Sequence, residues 1–240
     1  MTTGLTYSQY VNQVATMAVV DPADANFVEI LPLMITYSEN RIYRDLDFMF
    51  TSTALTGYSL TAGNRSLTIP TNLADGSGTF VVSEQINILT DSGLTRNPCL
   101  PTTKEYLDAV FGSSAVANRA MPRYFVAFND TLFLVGPVPD QDYPVEIVGT
   151  YRPNSLSANN TTTFISLYLP ELMMMASMIY ISAFQRNFGR QNDDPSMAVS
   201  YESQYQVLLK SASVEEARKK FEASAWSSQS PSSVASPTRG

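Results

Sequence analysis

The stretch Glu39-Asn40-Arg41-Ile42-Tyr43-Arg44-Asp45-Leu46-Asp47-Phe48 is the most densely charged piece of a chain that is only 15% charged. Three acids and two arginines surround Ile42, Leu46 and Phe48. Upstream, Leu33, Ile35 and Tyr37 run into Ile42, Tyr43 and Leu46 as one broad apolar surface, so the stretch closes a helix. Arg41 and Asp45 are four residues apart and can pair along one side of it. Arg44 stands near the negative end of the helix dipole, where a cation is favoured. Solvated pairs of this kind contribute roughly tenths of a kcal/mol.

Working outward toward the N-terminus, this helix opens near Asn26 with Glu29 in the capping-box position, or at Pro32, which lacks a backbone donor and suits a first helical position. Asp21-Pro22 breaks the chain before it. An earlier helix opens at Thr6, with Gln9 reaching back to the cap and Leu5 and Tyr10 placed as a hydrophobic staple. Tyr7, Tyr10, Val11, Val14, Met17 and Ala18 make its apolar face.

Toward the C-terminus the pattern shifts to short β-type runs at residues 66–69, 79–82, 85–89, 124–128, 131–135 and 145–151. Phe128-Asn129-Asp130-Thr131 predicts a tight hairpin, because Asn and Asp tolerate positive φ. Val145 and Ile147 alternate with Glu146 and Val148, which predicts one wetter face. A short helix over 103–110 has Thr102 as cap and Glu105 completing the box. Helix then returns, with Pro170 in the first position of a segment to residue 187 that is apolar almost all round and stopped by Gly189. Asp193-Asp194-Pro195 opens a last helix whose inward stripe is Met197, Tyr201, Tyr205, Leu208 and Ala212, with Glu215–Lys219 and Glu216–Lys220 as pairs on its solvated end. After Glu222 the chain turns to Ser, Pro and Ala and lacks the apolar surface to order itself alone. Trp226, the only tryptophan, sits inside that tail.

The expected fold is α+β: a helical bundle formed by the N- and C-terminal helix pairs, an inserted antiparallel β-rich domain and an extended C-terminal tail. The boundaries fall at residues 1–50 and 154–222 for the bundle, 51–153 for the insert and 223–240 for the tail.

Composition narrows the chemistry. With no histidine the commonest general base and metal ligand are missing, and a lone Cys99 makes neither an intrachain disulfide nor a thiolate cage. A net charge of −7 gives no overall footprint for gripping nucleic acid. The methionine-rich run at 172–184 is short of the ~20 residues a bilayer span needs, and predicts a buried helix. The opening residues lack the basic and apolar regions of a signal peptide, which predicts synthesis in a reducing cytoplasm and no membrane association. No nucleophile elbow, zincin or phosphate-loop motif is present. Asp45/Asp47, Asp140/Asp142 and Asp193/Asp194 are the carboxylate pairs a glycan hydrolase would need, but their places suit helix ends and a loop. No catalytic residue, cofactor or metal is expected.

The segment LPLMITYSENRIYRDLDF (31–48), the strand and hairpin MPRYFVAFNDTLFLVGPVPDQDYPVEIVGTYRP (121–153), the Pro-initiated FISLYLPELMMMASM (164–178) and the closing YESQYQVLLKSASVEEARKK (201–220) follow one another in a known order. Together they resemble the head–tail adaptor, or connector, proteins of tailed bacteriophages. Pro32, Glu39, Arg41, Ile42, Arg44 and Leu46 match that family's helix pattern, and the resemblance covers most of residues 5–222, least well over 51–113. It implies a structural virion protein, made in the host cytoplasm, at the neck of the particle. It further implies a homo-oligomeric ring, commonly a dodecamer, docked on the portal protein. Such a ring carries the tail tube, nozzle or tail-completion protein and lets double-stranded DNA pass through its lumen without specific binding. Under it Arg44 and Asp47 become candidate subunit contacts, and Trp226, Pro231 and Pro237 candidate portal contacts. Three other readings remain open at this point: a tail-completion or tail-terminator ring that does not touch the portal, a particle-associated carboxylate-dependent glycan hydrolase, and a free β-rich binding module that stays monomeric.

Overall fold

The structure is a computed structural model and describes residues 4–69, 71–73, 76–129, 131–185 and 195–223. It is α+β, and it divides into two compact units, Met1–Met49 with Asn154–Gly240, and Phe50–Pro153.

The first unit holds helices α1 (Tyr7–Ala18), α2 (Ala25–Asp45), α4 (Phe164–Tyr168), α5 (Pro170–Gln185) and α6 (Pro195–Ala223). Helix α1 starts as its sequence dictates: Thr6 Oγ1 accepts the Gln9 N–H at 3.4 Å while Gln9 Oε1 accepts the Thr6 N–H at 2.9 Å. Just ahead of it, Leu5 N–H donates to the Ser166 carbonyl and Tyr7 N–H to that of Thr161, both at 2.8 Å. The chain passes so close there that a Cβ on Gly4 would sit 2.5 Å from the Leu167 Cα. Helix α2 begins earlier than Pro32 would suggest. Asp24 is its cap, accepting the Asn26 and Phe27 N–H groups at 3.0 Å, and the helix runs unbroken through Pro32. Pro32 is exposed, as is half of Val28, so the carbonyl that loses its donor faces water rather than the core.

Helix α5 packs against α1, α2 and α6. Its methionines fill the interior: Met173, Met174 and Met178 are buried, together with Met34, Ile35 and Ile42 of α2 and Tyr205 and Ala212 of α6. A line of hydroxyls crosses this core. Tyr10 OH lies 2.6 Å from Ser177 Oγ, Ser177 Oγ lies 3.0 Å from Ser38 Oγ, and each serine also reaches the carbonyl four residues before it. Of the expected α6 stripe, Tyr201 and Leu208 are only half-buried and the Met197 side chain lies outside the description. The pair expected between Glu216 and Lys220 does not form. Glu216 is buried, taking Lys219 Nζ at 2.7 Å and the Met49 N–H at 3.3 Å, and Lys220 turns to Asp47.

Among the described residues the second unit contains two four-stranded sheets. One has the order β1 (Ser52–Leu60), β8 (Tyr143–Pro153), β3 (Gly78–Thr90), β4 (Thr95–Pro98), all antiparallel. The other has the order β2 (Ser66–Thr68), β7 (Leu132–Gly136), β6 (Tyr124–Asn129), β5 (Leu100–Pro101). Here β5 pairs with β6 in parallel, so the insert is not wholly antiparallel. The runs at 79–82 and 85–89 are one strand, β3, with register shifts at Phe80/Val82 and Ser83/Gln85 that interrupt its alternation. Leu60, Ile86, Ile88, Phe133, Val145 and Ile147 form the core, and the Phe125 and Phe133 rings meet edge to face at 5.5 Å.

Glu146 does not make a wet face on β8. It is nearly buried, held by Arg96 Nε at 3.0 Å and Asn87 Nδ2 at 2.8 Å. Helix α3 (Lys104–Phe111) is capped by Thr103 rather than Thr102, whose N–H is already committed to the Phe125 carbonyl at 2.9 Å. This helix lies close on β7: a Cβ at Gly136 would meet Leu107 Cδ2 at 2.6 Å. Asn129 Oδ1 accepts the Thr131 N–H at the β6–β7 hairpin, while Asp130 lies outside the described residues.

Candidate interaction surface

The charged segment that ends α2 is mostly internal wiring. Glu39 is buried, and its Oε1 accepts the Leu156 N–H at 3.1 Å and faces Thr163 Oγ1 at 3.5 Å. It therefore ties α2 to the return of the chain from the β unit. Burial pushes its carboxyl above the ordinary carboxylate value, and these hydrogen bonds pull only part of the way back.

Arg41 closes α2 against α6. Its Nη2 lies 2.6 Å from Glu202 Oε1, its Nε 3.7 Å from Asp45 Oδ2, and its guanidinium 4.1 Å above the Tyr205 ring. Burial works against the arginine's charge, but the Glu202 carboxylate outweighs it and raises the guanidinium. Arg41 in turn holds Glu202 below its usual value. Tyr205 OH donates to Asp45 Oδ2 at 2.7 Å, and burial first, then that carboxylate, raises the phenol. The Arg41–Asp45 pair foreseen from spacing thus exists as the longer arm of a cluster whose shorter arm is Glu202. Glu202 lies 161 positions away, a separation that no local signal reports.

Two members of the segment face outward. Arg44 is exposed and, among the described residues, has no ion-pair partner. Asp47 is 80% exposed and pairs with Lys220 of its own chain. Exposed pairs of that kind are weak and can be traded for another contact. Trp226, Pro231 and Pro237 lie outside the described residues.

Apolar side chains stand on the surface of both units. On the helices they include Met17 of α1, expected on that helix's buried face, Val28, Leu33 and Tyr37 of α2, Tyr168 of α4, and Val199, Val207, Val214 and Phe221 of α6. Val207, Val214 and Phe221 recur every seven residues, on the side of α6 opposite Tyr205 and Ala212. On the β unit Leu94 is 84% exposed, directly after a turn in which Asp91, Ser92 and Gly93 all have positive φ (54°, 58° and 89°). Phe128 is exposed at the β6–β7 hairpin.

The groups screened for chemistry are engaged structurally. Asp140 Oδ1 accepts the Tyr143 hydroxyl, Asp142 Oδ1 accepts the Ala62 N–H, and Asp193 and Asp194 lie outside the described residues. Burial lifts the Cys99 thiol to about 12, which keeps it an unreactive core residue. Among the described residues no group of three or more His, Cys, Asp or Glu could hold a metal ion, and no helix is long and apolar enough to cross a membrane.

Residues 5–232 match the SU10 adaptor protein family. A comparison with curated proteins finds no match.

Proposed function

The chain belongs to the SU10 adaptor protein family and is a structural adaptor of a phage particle; from that premise we propose that it is the head–tail adaptor, assembled as a ring between the portal protein and the tail. The helices form the bundle that stands beside its neighbours around the ring, a dodecamer in the stoichiometry such adaptors commonly take. The β unit presents Leu94 and Phe128 toward the tail tube, nozzle or tail-completion protein. Residues 224–240 reach the portal as an arm, with Trp226 as its aromatic anchor and Pro231 and Pro237 beside it. Arg44 and Asp47 serve contacts between subunits. DNA crosses the lumen without specific binding, in keeping with a net charge of −7.

The observation that carries the arm is the extent of the family match. It runs to residue 232, nine residues beyond Ala223 at the end of α6, and so takes in Trp226 and Pro231. A Ser- and Pro-rich segment without apolar surface for a core of its own orders itself only where a partner supplies the surface it binds.

The test mixes the purified portal ring of the same phage with the full chain, or with a form ending at Ala223, and measures the mass of the complex. Near-stoichiometric binding that is lost on truncation is the expected result. Binding by both forms would keep the adaptor and remove the arm; binding by neither would replace it with a tail-completion ring.

A further inference from the structure

Two outer faces of the helical unit carry complementary side chains at the same interval. On α2, Glu29, Leu33 and Tyr37 follow at every fourth residue; Glu29 is exposed, Leu33 is 62% exposed and Tyr37 38%. On α6, Lys210, Val214 and Arg218 follow at the same spacing, with Val214 47% exposed and both cations exposed; with Val207, Ser211 and Glu215, whose carboxylate is taken by Lys219, they line a shallow groove. Among the described residues Glu29, Lys210 and Arg218 have no ion-pair partner. Each step covers ~6 Å of helix on both sides. Laid together in register, the faces oppose acid to lysine, leucine to valine and tyrosine ring to guanidinium, the last a cation–π pair.

Polarity agrees. Within one copy α2 and α6 run the same way, since Arg41 meets Glu202 and Asp45 meets Tyr205. Rotation about an axis along these helices preserves their direction, so α2 of one copy beside α6 of the next is again parallel. The parallel register is the one that aligns Glu29 with Lys210 and Tyr37 with Arg218, and it brings Arg44 within a turn of the exposed Glu222. The two patches differ, so each copy offers one and receives the other, which is the head-to-tail contact from which rings close.

We propose that the Glu29–Leu33–Tyr37 face of α2 seats on the Lys210–Val214–Arg218 face of α6 in the next copy of this chain. The inference rests on the ring reading above and names the contact that builds it. Cys99 is the only cysteine and is buried, so introduced thiols report cleanly. Particles carrying Leu33→Cys, Val214→Cys or both are oxidised and run without reductant. The double variant should give a ladder extending past the dimer, abolished by reduction, and neither single variant should cross-link. As a second readout, Glu29→Lys should lower the yield of assembled chain at least ~10-fold, the equivalent of ~1.4 kcal/mol, and Lys210→Glu in the same chain should restore it. Single variants that stop at dimers would mean a self-complementary contact and overturn the proposal. A double variant that stays uncross-linked in a particle still holding many copies would overturn it while leaving the ring intact. Absence of the chain from particles would remove both.

Discussion

Ser177→Ala tests whether the hydroxyl line through the helical core acts as a unit. Tyr10, Ser38 and Ser177 are all fully buried, and Tyr10 OH lies 2.6 Å from Ser177 Oγ. Removing Ser177 strands the Tyr10 proton, and a buried donor without an acceptor costs ~1–3 kcal/mol. Ser38 Oγ, itself 3.0 Å from Ser177, remains as a substitute acceptor and holds the loss near ~1–2 kcal/mol. Tyr10→Phe instead deletes the donor and leaves Ser177 bonded to the Met173 carbonyl at 2.7 Å, so it should cost ~0.5–1.5 kcal/mol. In the double variant no stranded O–H remains, and the combined loss should fall ~1 kcal/mol short of the sum. Thermal unfolding followed by far-ultraviolet circular dichroism reads this as ~2–4 °C per kcal/mol. Losses that simply add would show that the three hydroxyls do not share their protons and would refute the reasoning.

Val19 ends α1 at φ 56° and ψ 45°, a left-handed conformation unsuited to a β-branched residue, while 76% exposed. Val19→Gly should therefore raise the melting temperature, gaining up to ~1 kcal/mol after the glycine's own entropy cost, and a lower melting temperature would contradict the strain. Glu39→Gln tests the buried carboxyl. Its folded pKa lies above its unfolded value, so the stabilisation is complete below the unfolded pKa and is lost as pH rises through the folded one. The variant, always neutral, should match the parent in acid and exceed it at higher pH in denaturant melts. A gap that opens toward low pH would reverse the sign. Gly136→Ala drives a methyl toward Leu107 and Phe111 and should cost ~1–3 kcal/mol in the β unit; a denaturation midpoint equal to the parent's would contradict that close approach.

Local chemistry was readable from the sequence and distant pairing was not. The Thr6–Gln9 box, Pro170 at the start of α5 and the Glu215–Lys219 pair depend on neighbours a few residues apart, and each stands where its spacing puts it. Pro32 misled because the packing of α2 on α5 outweighs the bond and the clearance that a proline costs inside a helix, and packing is a tertiary property. Strands β1 and β4 were missed because STALTGYSL and TRNP lack a clear alternation; pairing with β8 and β3 makes them strands. The same limit applied to the surface. Exposure singled out Arg44 at the helix end, but the partners that occupy Arg41 and Asp47 came from α6, at the far end of the chain.

Ser52 at the start of β1 pairs with Thr150 near the end of β8, so the chain enters and leaves the β unit on adjacent strands. Neighbouring strands lie ~4.8 Å apart. For the helices, a detour of about a hundred residues is therefore equivalent to a gap that a short turn could span, and the entropy of closing it does not grow with what the detour contains. A unit joined through one such doorway can be exchanged, lengthened or trimmed by recombination without refolding its host. A lineage of particles can thereby alter the β unit while inheriting the helices themselves unchanged.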